Sequence, residues 1–510
     1  MPPVRPSLVL ALSLLGACKK DPPPPEVDES PEAKRQRECD HFATDMAQTA
    51  MLAGQMMVTA LEDDPMSPSA RAGRSEMSEG ARKLRKDLYD KCLTWPEDVM
   101  QCLPPLGTLR EGCEERLMAA MDGATAIPKD VPAGPKPAWT FTFESDPGAL
   151  GVTEDGTVLA IAGVENDALV GLREGKVAWQ KQGDHARWLL PLPGAEPTWV
   201  TAEGDRLVAF DPRTGTERWS ATLPALPEEE YGTMAVRTAA VRGDGLLIAD
   251  AEARFFAVSP ERCAAPGGSG CLEAQGRLDD EELDSDARLW VDAEDRRYLL
   301  EDDALRIFLP TGQRHATLGA HDDLGQVLLA GSELVLLVDD DVVVLDPARC
   351  SSGAPIASSG WPQPGAMVLS ESECEGCVEP PEGCRKWRAH VPGSTHERPA
   401  RLDDGAVVVS GESYVHAVHE GSSRWKTALG TGPVITDGTR LLGLGAGVDE
   451  EPAALYEADP STGMPRWRSP LPTREGDSTY LEGDATLALR GRWLAAALDQ
   501  TLTVVELPGS

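Results

Sequence analysis

Residues 209–219 read AFDPRTGTERW, and residues 456–467 read YEADPSTGMPRW. Both stretches carry an Asp, a Thr, a Gly and a Trp at the same offsets. An apolar strand, a polar turn in which Asp and Gly tolerate a positive φ, and a second strand with a large buried aromatic residue form a β-hairpin. Each hairpin leaves one face unburied, so the copies must pack against each other. The residues that define the repeat in these two copies are Asp211, Gly215, Trp219, Asp459, Gly463 and Trp467.

Two looser copies precede these stretches. Residues 170–179 read VGLREGKVAW, and residues 415–425 read VHAVHEGSSRW. Trp179 and Trp425 lie 40 and 42 residues before the Trp of the next copy, a spacing typical of four-stranded propeller blades. More degenerate copies keep the strand and the turn but lack the Trp; they lie at 258–260, 308–312 and 344–347.

The last copy lacks a closing strand. Residues 493–498 and 502–507 supply two apolar strands, after which the sequence ends. Residues 137–143 (PAWTFTF) resemble the Trp strands of the repeat, so we expect the strand around Trp139 to complete the last sheet and to leave no open edge. Eight units are counted in this way. The sequence therefore predicts a mainly β fold, with an eight-bladed β-propeller over residues 138–510 and seven blades as the alternative.

The spacing Asp-x-x-Thr-Gly-x-x-x-Trp is similar to the PQQ-type repeat of quinoprotein dehydrogenases and of the outer-membrane β-barrel assembly lipoprotein. The resemblance covers residues 139–510 and implies that the Trp residues are structural. It also implies a lipid-anchored scaffold that binds proteins of the cell envelope and has no enzymatic activity. The specific envelope partner stays open, because the assembly lipoprotein lacks the Cys-containing N-terminal region and the acidic balance of this chain.

Quinoprotein alcohol dehydrogenases carry a vicinal Cys-Cys pair over the cofactor and a calcium ion beside a catalytic Asp. No two adjacent cysteines occur in this sequence. We therefore expect no cofactor and assign no catalytic residue. A degenerate quinoprotein dehydrogenase-like enzyme is the alternative that the resemblance leaves.

The N-terminus resembles a bacterial lipoprotein signal. An apolar run is followed by Leu15-Gly16-Ala17-Cys18, so we expect residues 1–17 to be a signal peptide and Cys18 to be lipidated. The lipid would hold the protein at the outer membrane, facing the periplasm or the cell surface. An ordinary secretory signal is the alternative.

The region before the propeller is predicted to have three parts. Residues 18–32 contain four consecutive prolines and should form an extended tether. Residues 33–122 carry apolar side chains at helical spacing, and residues 123–137 are a Pro- and Gly-rich linker. Within the helical part, Thr94 and Glu97 suggest a capping box.

Ten cysteines remain besides Cys18, an even number that favours disulfides in an oxidising compartment. An antiparallel helical hairpin would bring Cys39 near Cys92 and leave Cys102 for Cys113, although three pairings are open. The remaining candidates are Cys263 with Cys271, and the group Cys350, Cys374, Cys377 and Cys384, for which a zinc site is the alternative to disulfides.

The chain carries 48 Lys and Arg against 84 Asp and Glu, a formal charge of -36. Such a field repels nucleic acid, so no nucleic-acid partner is expected. The acidic runs at 279–282 and 339–341 lack the spacing of a calcium loop and indicate solvated surface. His416 and His419 are three apart on a predicted strand, so they point to opposite faces and cannot share a metal ion.

Overall fold

The structure is a computed structural model, and the chain divides into two compact units, Met1–Ala126 and Ile127–Ser510. None of the described helices is both long and apolar enough to cross a membrane. The structure describes residues 30–508 apart from 62–67, 104–112, 122, 126, 129, 164–167, 187, 195, 225–235, 266–269, 278–282, 285–286, 302–303, 312–313, 320–323, 339, 350–383, 392–397, 412–413, 430–431, 446–452 and 473–484.

The N-terminal unit is helical, as predicted. Its elements are α1 (Pro31–Leu61), α2 (Pro68–Cys92), α3 (Glu97–Met100) and α4 (Glu114–Met121). Helices α1 and α2 form an antiparallel hairpin, because Arg85 on α2 bonds to Asp40 and Thr44 on α1. The structure joins Cys39 to Cys92 and Cys102 to Cys113, so the prediction of disulfide bonds is confirmed.

The predicted capping box at Thr94 is wrong. The Thr94 hydroxyl donates to the carbonyl oxygen of Lys91, 2.7 Å away, and so satisfies a carbonyl at the end of α2. Pro96 is the N-cap of α3, and no side chain caps that helix. The last carbonyls of a helix have no backbone donor within the helix. The Thr94 hydroxyl therefore serves the end of α2 and does not cap α3.

The C-terminal unit is a β-propeller, and the described strands form eight four-stranded sheets. The prediction of eight blades is confirmed and the alternative of seven is excluded. Strand β1 (Pro137–Thr142) opens this unit. Blade 1 contains β2 (Ala149–Val152), β3 (Val158–Ala162), β4 (Ala168–Arg173) and β5 (Lys176–Gln182). Blade 2 contains β6 (Leu190–Leu192), β7 (Thr198–Glu203), β8 (Arg206–Phe210) and β9 (Glu217–Thr222).

Blades 3 and 4 follow. A short helix, α5 (Pro260–Ala264), lies between the third and fourth strands of blade 3. Blade 3 contains β10 (Val236–Arg242), β11 (Gly245–Asp250), β12 (Arg254–Val258) and β13 (Leu272–Arg277). Blade 4 contains β14 (Arg288–Val291), β15 (Arg297–Glu301), β16 (Ala304–Phe308) and β17 (Arg314–Gly319).

The remaining blades complete the ring. Blade 5 contains β18 (Leu324–Ala330), β19 (Glu333–Val338), β20 (Asp341–Leu345) and β21 (Arg385–His390), with a 3-10 turn at Pro347–Arg349. Blade 6 contains β22 (Ala400–Arg401), β23 (Val407–Ser410), β24 (Val415–His419) and β25 (Ser422–Thr427). Blade 7 contains β26 (Val434–Thr436), β27 (Leu441–Gly445), β28 (Ala454–Ala458) and β29 (Pro465–Pro470). Blade 8 contains β30 (Ala485–Arg490), β31 (Trp493–Leu498), β32 (Thr501–Glu506) and β1.

The ring is closed by its own first strand, as predicted. Strand β1 pairs antiparallel with β32, with Trp139 opposite Val504 and Phe141 opposite Leu502. The first strands of neighbouring blades lie against each other, for example β2 against β30 and β22 against β26, so they surround the centre of the ring. The fourth strands, which carry the repeat Trp residues, lie at the rim.

The core lies between neighbouring blades. The middle strands are buried on both faces, and every residue of β11, β20 and β27 is buried. Leu455 of blade 7, for example, belongs to the same buried cluster as Leu494 and Val505 of blade 8. This two-sided burial explains why these strands are almost continuously apolar instead of alternating.

Part of the predicted linker is bound to the propeller. The amide of Arg468 on β29 donates to the carbonyl oxygen of Pro132 at 2.9 Å, and the amide of Gly134 donates to Arg468 at 2.8 Å. The Ser469 hydroxyl donates to the carbonyl oxygen of Pro135. Proline cannot donate a backbone hydrogen bond, but its carbonyl still accepts one. Residues 132–135 therefore run along the outer strand of blade 7.

Candidate functional site

The repeat Trp of one blade docks on the Asp-Gly turn of the next blade. Trp179 of blade 1 donates from Nε1 to the carbonyl oxygen of Pro212 in blade 2, at 2.9 Å. The indole lies against Gly215, where an added Cβ would come within 2.6 Å of the ring. Gly215 also has φ +68°, a conformation that favours glycine. The Trp and the Gly of the repeat thus act together across a blade boundary.

The second strong copy has the same geometry. Trp425 of blade 6 donates from Nε1 to the carbonyl oxygen of Pro460 in blade 7, at 2.9 Å. A Cβ at Gly463 would lie 2.4 Å from the Trp425 ring, and this glycine has φ +73°. The same type of junction therefore occurs in two separate parts of the ring, and in both places the repeat joins neighbouring blades.

The Asp of the repeat organises its turn. Asp459 accepts from the amide of Ser461 at 2.8 Å and from the guanidinium of Arg466 at 2.9 Å. A side-chain hydrogen bond from Ser461 and the bonds from Arg466 lower the pKa of Asp459 to about 2. Asp211 makes the matching contacts with Arg213 and Arg218. Arg218 and Arg466, which precede Trp219 and Trp467, are thus partners of the repeat Asp in these two copies, a role that the sequence analysis missed.

The other predicted Trp residues make different contacts. Trp219 packs in one buried cluster with Cys263 and Cys271, which form a disulfide beside α5 in blade 3. Trp467 donates to Glu457 at 3.0 Å, and its ring covers Gly134. Trp139 on β1 lies beside the Gly175 turn of blade 1.

Trp387 is a repeat Trp that the sequence analysis missed. It lies on β21, the outer strand of blade 5, beside the Gly421 turn of blade 6. Strand β20 ends at Leu345 and β21 begins at Arg385, so an insertion separates this Trp from its strand. The signal that could have found it is the match of RKWRAH at 385–390 to the other Trp strands.

One face of the ring carries the loops that join first to second and third to fourth strands, and we call it the turn face. Its loops are held together across blade boundaries. Arg213 of blade 2 binds Asp155 of blade 1, with 2.7 Å between Nε and Oδ2. Arg242 of blade 3 forms a two-bond ion pair with Asp295 of blade 4. Polar groups of this face are therefore engaged in joining blades.

The same pattern continues around the turn face. Glu333 of blade 5 is held by Lys386 of the same blade and by Arg401 of blade 6. Arg440 of blade 7 donates to the carbonyl oxygen of Gly491 in blade 8, at 2.8 Å.

The opposite face carries the loops from second to third strands and those from blade to blade. Glu144, Asp146 and Asp205 are exposed on it and form no ion pair within the described part of the chain. His185 is buried beneath this face, and its burial lowers its pKa. The opposite face thus presents exposed carboxylates without an ion-pair partner among the described residues.

Other candidate residues do not form a chemical centre in the described part of the chain. No group of three or more His, Cys, Asp or Glu side chains able to hold a metal ion occurs among the described residues. His416 is buried, with Nε2 2.7 Å from the Ser423 hydroxyl. Cys384 is buried and disulfide-bonded. Four candidate cysteines lie outside the described residues: Cys18, Cys350, Cys374 and Cys377.

Comparison with known proteins gives one family match. Residues 132–265 match the family model described as outer membrane protein assembly factor BamB. No curated protein matches the chain significantly in sequence.

Three solved structures match most of the chain at low sequence identity. BamB from Moraxella catarrhalis is 15% identical, with a TM-score of 0.45, and the alignment covers 72% of this chain and 98% of that one. The computationally designed Ika8 protein is 13% identical, with a TM-score of 0.45 over 73% and 100% of the chains. Sqt1 from Saccharomyces cerevisiae is 10% identical, with a TM-score of 0.45 over 74% and 100%.

The matched residues 132–265 include the closing strand, blades 1 and 2 and most of blade 3. They contain the Trp179 junction and its Asp-Gly turn. Eight four-stranded blades and the Trp junctions make the C-terminal unit a β-propeller with PQQ-type repeats, and its residues 132–265 are similar to outer membrane protein assembly factor BamB.

Proposed function

We propose that the protein is a non-catalytic scaffold that binds one or more proteins of the bacterial cell envelope through the opposite face of its propeller. The observation that carries this proposal is the set of exposed carboxylates without an ion pair on the opposite face. Cross-blade pairs such as Arg242 with Asp295 engage the turn face, whereas Glu144, Asp146 and Asp205 on the opposite face have no such partner. A surface with free carboxylates suits a basic partner.

The net charge supports the same kind of partner. At -36 the chain attracts basic surfaces and speeds their association. Since each exposed ion pair contributes little affinity, the charge would guide the encounter and set its orientation more than its strength. The partner is thus proposed to be a protein with a basic patch, and its identity is left to the experiment.

The proposed location follows from the N-terminal sequence. A lipid on Cys18 would anchor the chain in the outer membrane, and residues 18–32 would hold the folded units away from the lipid surface. The folded units would face the periplasm or the cell surface. Mass spectrometry of the membrane fraction tests this step, since an unmodified Cys18 still linked to Ala17 would contradict it.

Partner capture tests the main proposal. The full-length chain in detergent is cross-linked in solubilised envelopes, and a triple variant, Glu144→Lys, Asp146→Lys and Asp205→Lys, is compared with it. The matched control is Asp244→Lys, because Asp244 is an exposed carboxylate on the turn face. We expect the triple variant to lose the captured protein and the control to keep it. Equal capture by both would refute the assignment of the binding face.

The absence of catalysis is tested separately. The full-length chain is mixed with PQQ and calcium, and its melting temperature and absorption spectrum are followed. A scaffold gives no shift and no oxidation of alcohols or sugars. A cofactor-dependent activity would contradict the proposal.

A further inference from the structure

The closing blade of the ring has no turn between its third and fourth strands. In blades 1, 2, 6 and 7 a short turn joins these two strands, and the Trp of the preceding blade lies beside the glycine of that turn. In blade 8 the two strands are β32 and β1, which are far apart in sequence, so no turn connects them. Trp467, the repeat Trp of blade 7, therefore needs a contact from another part of the chain.

The linker before β1 carries the pattern of a repeat turn. Residues 130–139 read DVPAGPKPAW, with Asp130 four residues before Gly134, as the Asp stands before the Gly in both strong copies. The Trp follows four residues after the glycine in the strong copies and five residues after it here, at Trp139. This stretch is thus a further copy of the repeat, with one additional residue before its Trp.

Gly134 takes the place of the turn glycine against Trp467. An added Cβ at Gly134 would lie 2.3 Å from the Trp467 ring, compared with 2.6 and 2.4 Å at the turn glycines of the two strong copies. Trp467 is buried, and its Nε1 donates to Glu457 at 3.0 Å. The ring is therefore fixed in place, and a residue without a side chain is needed above it.

Backbone hydrogen bonds hold the same stretch on the outer strand of blade 7. Ala133 forms a parallel bridge with Arg468, whose amide donates to Pro132 and whose carbonyl oxygen accepts from Gly134. Pro132 and Pro135 have no amide proton, which keeps this pairing short. Strand β1, by contrast, pairs with β32 over its whole length. The linker contact is therefore the weaker of the two attachments at this blade boundary.

The chain reaches this contact from the side of blades 6 and 7. Ile127 packs against a buried cluster that contains Trp425 of blade 6 and Tyr456 of blade 7. Residues 132–135 then lie on blade 7, and the chain continues into β1 of blade 8. The stretch from Ile127 to β1 thus crosses the boundary at which the ring closes.

We propose that residues 130–135 act as the eighth turn of the ring and form a latch that secures β1 to blade 7. While Gly134 is docked, β1 is held on two sides, by β32 in its own blade and by the latch on β29. Once the latch is released, β32 alone holds β1, so the ring opens in two steps and the latch opens first. Because the latch precedes β1 in the chain, it takes up a displacement of the N-terminal linker before the closing strand does. The latch involves only the propeller, so a failed partner capture leaves it untouched.

Hydrogen exchange of the full-length chain in detergent, read by mass spectrometry, tests the latch. Gly134→Ala places a Cβ against the Trp467 ring, and Gly134 has no positive φ that would strain the new residue by itself. We expect the amides of β1 and β32 to exchange at least about tenfold faster than in the parent, while exchange in blades 3 and 4 stays the same. Unchanged exchange in β1 and β32 would overturn the proposal.

The matched control is Gly215→Ala. It crowds the Trp179 ring at the same type of junction, but in a blade whose third and fourth strands are joined by a turn. We expect it to speed exchange around its own turn and to leave β1 and β32 as in the parent. Faster exchange of β1 and β32 by the same factor in both variants would show general destabilisation and refute the latch.

Two further variants separate the indole contact from the backbone contact. In a Trp467→Leu background the added Cβ meets no indole, so Gly134→Ala should change exchange of β1 and β32 by less than about twofold. Ser469→Ala is a milder change, which removes the hydroxyl that donates to Pro135 at 2.9 Å and leaves Gly134 in place. It should speed exchange of β1 and β32 by about threefold, and it tests the latch even if Gly134→Ala does not fold. A full tenfold effect in the Trp467→Leu background, or no effect of Ser469→Ala, would contradict the proposal.

Discussion

Trp179 donates a hydrogen bond to the carbonyl oxygen of Pro212, and this bond crosses from blade 1 to blade 2. The relationship explains why the repeat contains a Trp at one end and a Gly in its turn. Trp179 and Trp425 each pack on the turn of the following copy, so the spacing within one copy is set by contacts made with two neighbours.

Substitution of Gly215 should show the junction directly. Gly215→Ala must adopt φ +68° and place its Cβ 2.6 Å from the Trp179 ring, whereas Gly243→Ala adopts φ +58° with no atom within 4 Å. The control should cost about 1 kcal/mol for its backbone conformation alone. We expect Gly215→Ala to cost about 2 kcal/mol more, because the indole must move out of a packed contact. Urea unfolding measures both, and equal losses would show that the indole does not constrain the turn.

The hydrogen bond itself is tested by Trp179→Phe. Phe keeps an aromatic ring against Gly215 but leaves the carbonyl of Pro212 without its donor, at a cost of about 1–3 kcal/mol. Trp139→Phe is the matched control, because Trp139 also lies on an outer strand and its indole makes no hydrogen bond in the described part of the chain. The urea midpoint should fall more for Trp179→Phe than for the control. The reverse order would contradict the role of the Trp179 bond.

The sequence was sufficient for the blade number and for ring closure because each depends on local patterns. Apolar strands, Asp-Gly turns and the Trp strand around Trp139 are short and recur. Trp387 could not be found by spacing, since the insertion after β20 breaks the period. The contact of residues 132–135 with blade 7 could not be foreseen either, because the proline carbonyls accept hydrogen bonds from β29, more than 300 residues away in sequence.

The candidate surface was harder to infer than the fold. Ion pairs such as Arg213 with Asp155 join residues 58 apart in sequence, and only the ring brings them together. Composition predicted an acidic surface, but the face on which Glu144, Asp146 and Asp205 lie follows only from the loop positions.

The disulfide between Cys39 and Cys92 should dominate the stability of the helical unit. It closes a loop with a sequence separation of 53, for which chain entropy gives about 4 kcal/mol. We expect the double variant Cys39→Ala and Cys92→Ala to lose helical circular dichroism at a lower temperature while the strand signal melts as before. Replacement of Cys263 and Cys271 is the control, since their loop lies within blade 3. Unchanged melting of the helices would contradict this prediction.

His416 should make the stability of the propeller depend on pH. Burial, together with the charge of Lys426, lowers the pKa of His416 to about 4. An unfolded imidazole takes up its proton near pH 6.5. The unfolded chain therefore binds more protons between pH 6.5 and 4, so stability falls as the pH falls through this window. The contribution reaches about 3 kcal/mol at the acidic end.

The variant His416→Asn should remove this part of the pH dependence. Its free energy of unfolding, measured by urea at pH 7 and near pH 4.5, should fall less on acidification than that of the parent, although carboxylates still contribute to both. His419→Asn is the matched control, because His419 ends the same strand and is less buried. A pH profile of His416→Asn that matches the parent would mean that the imidazole is already protonated or rehydrated in the folded protein.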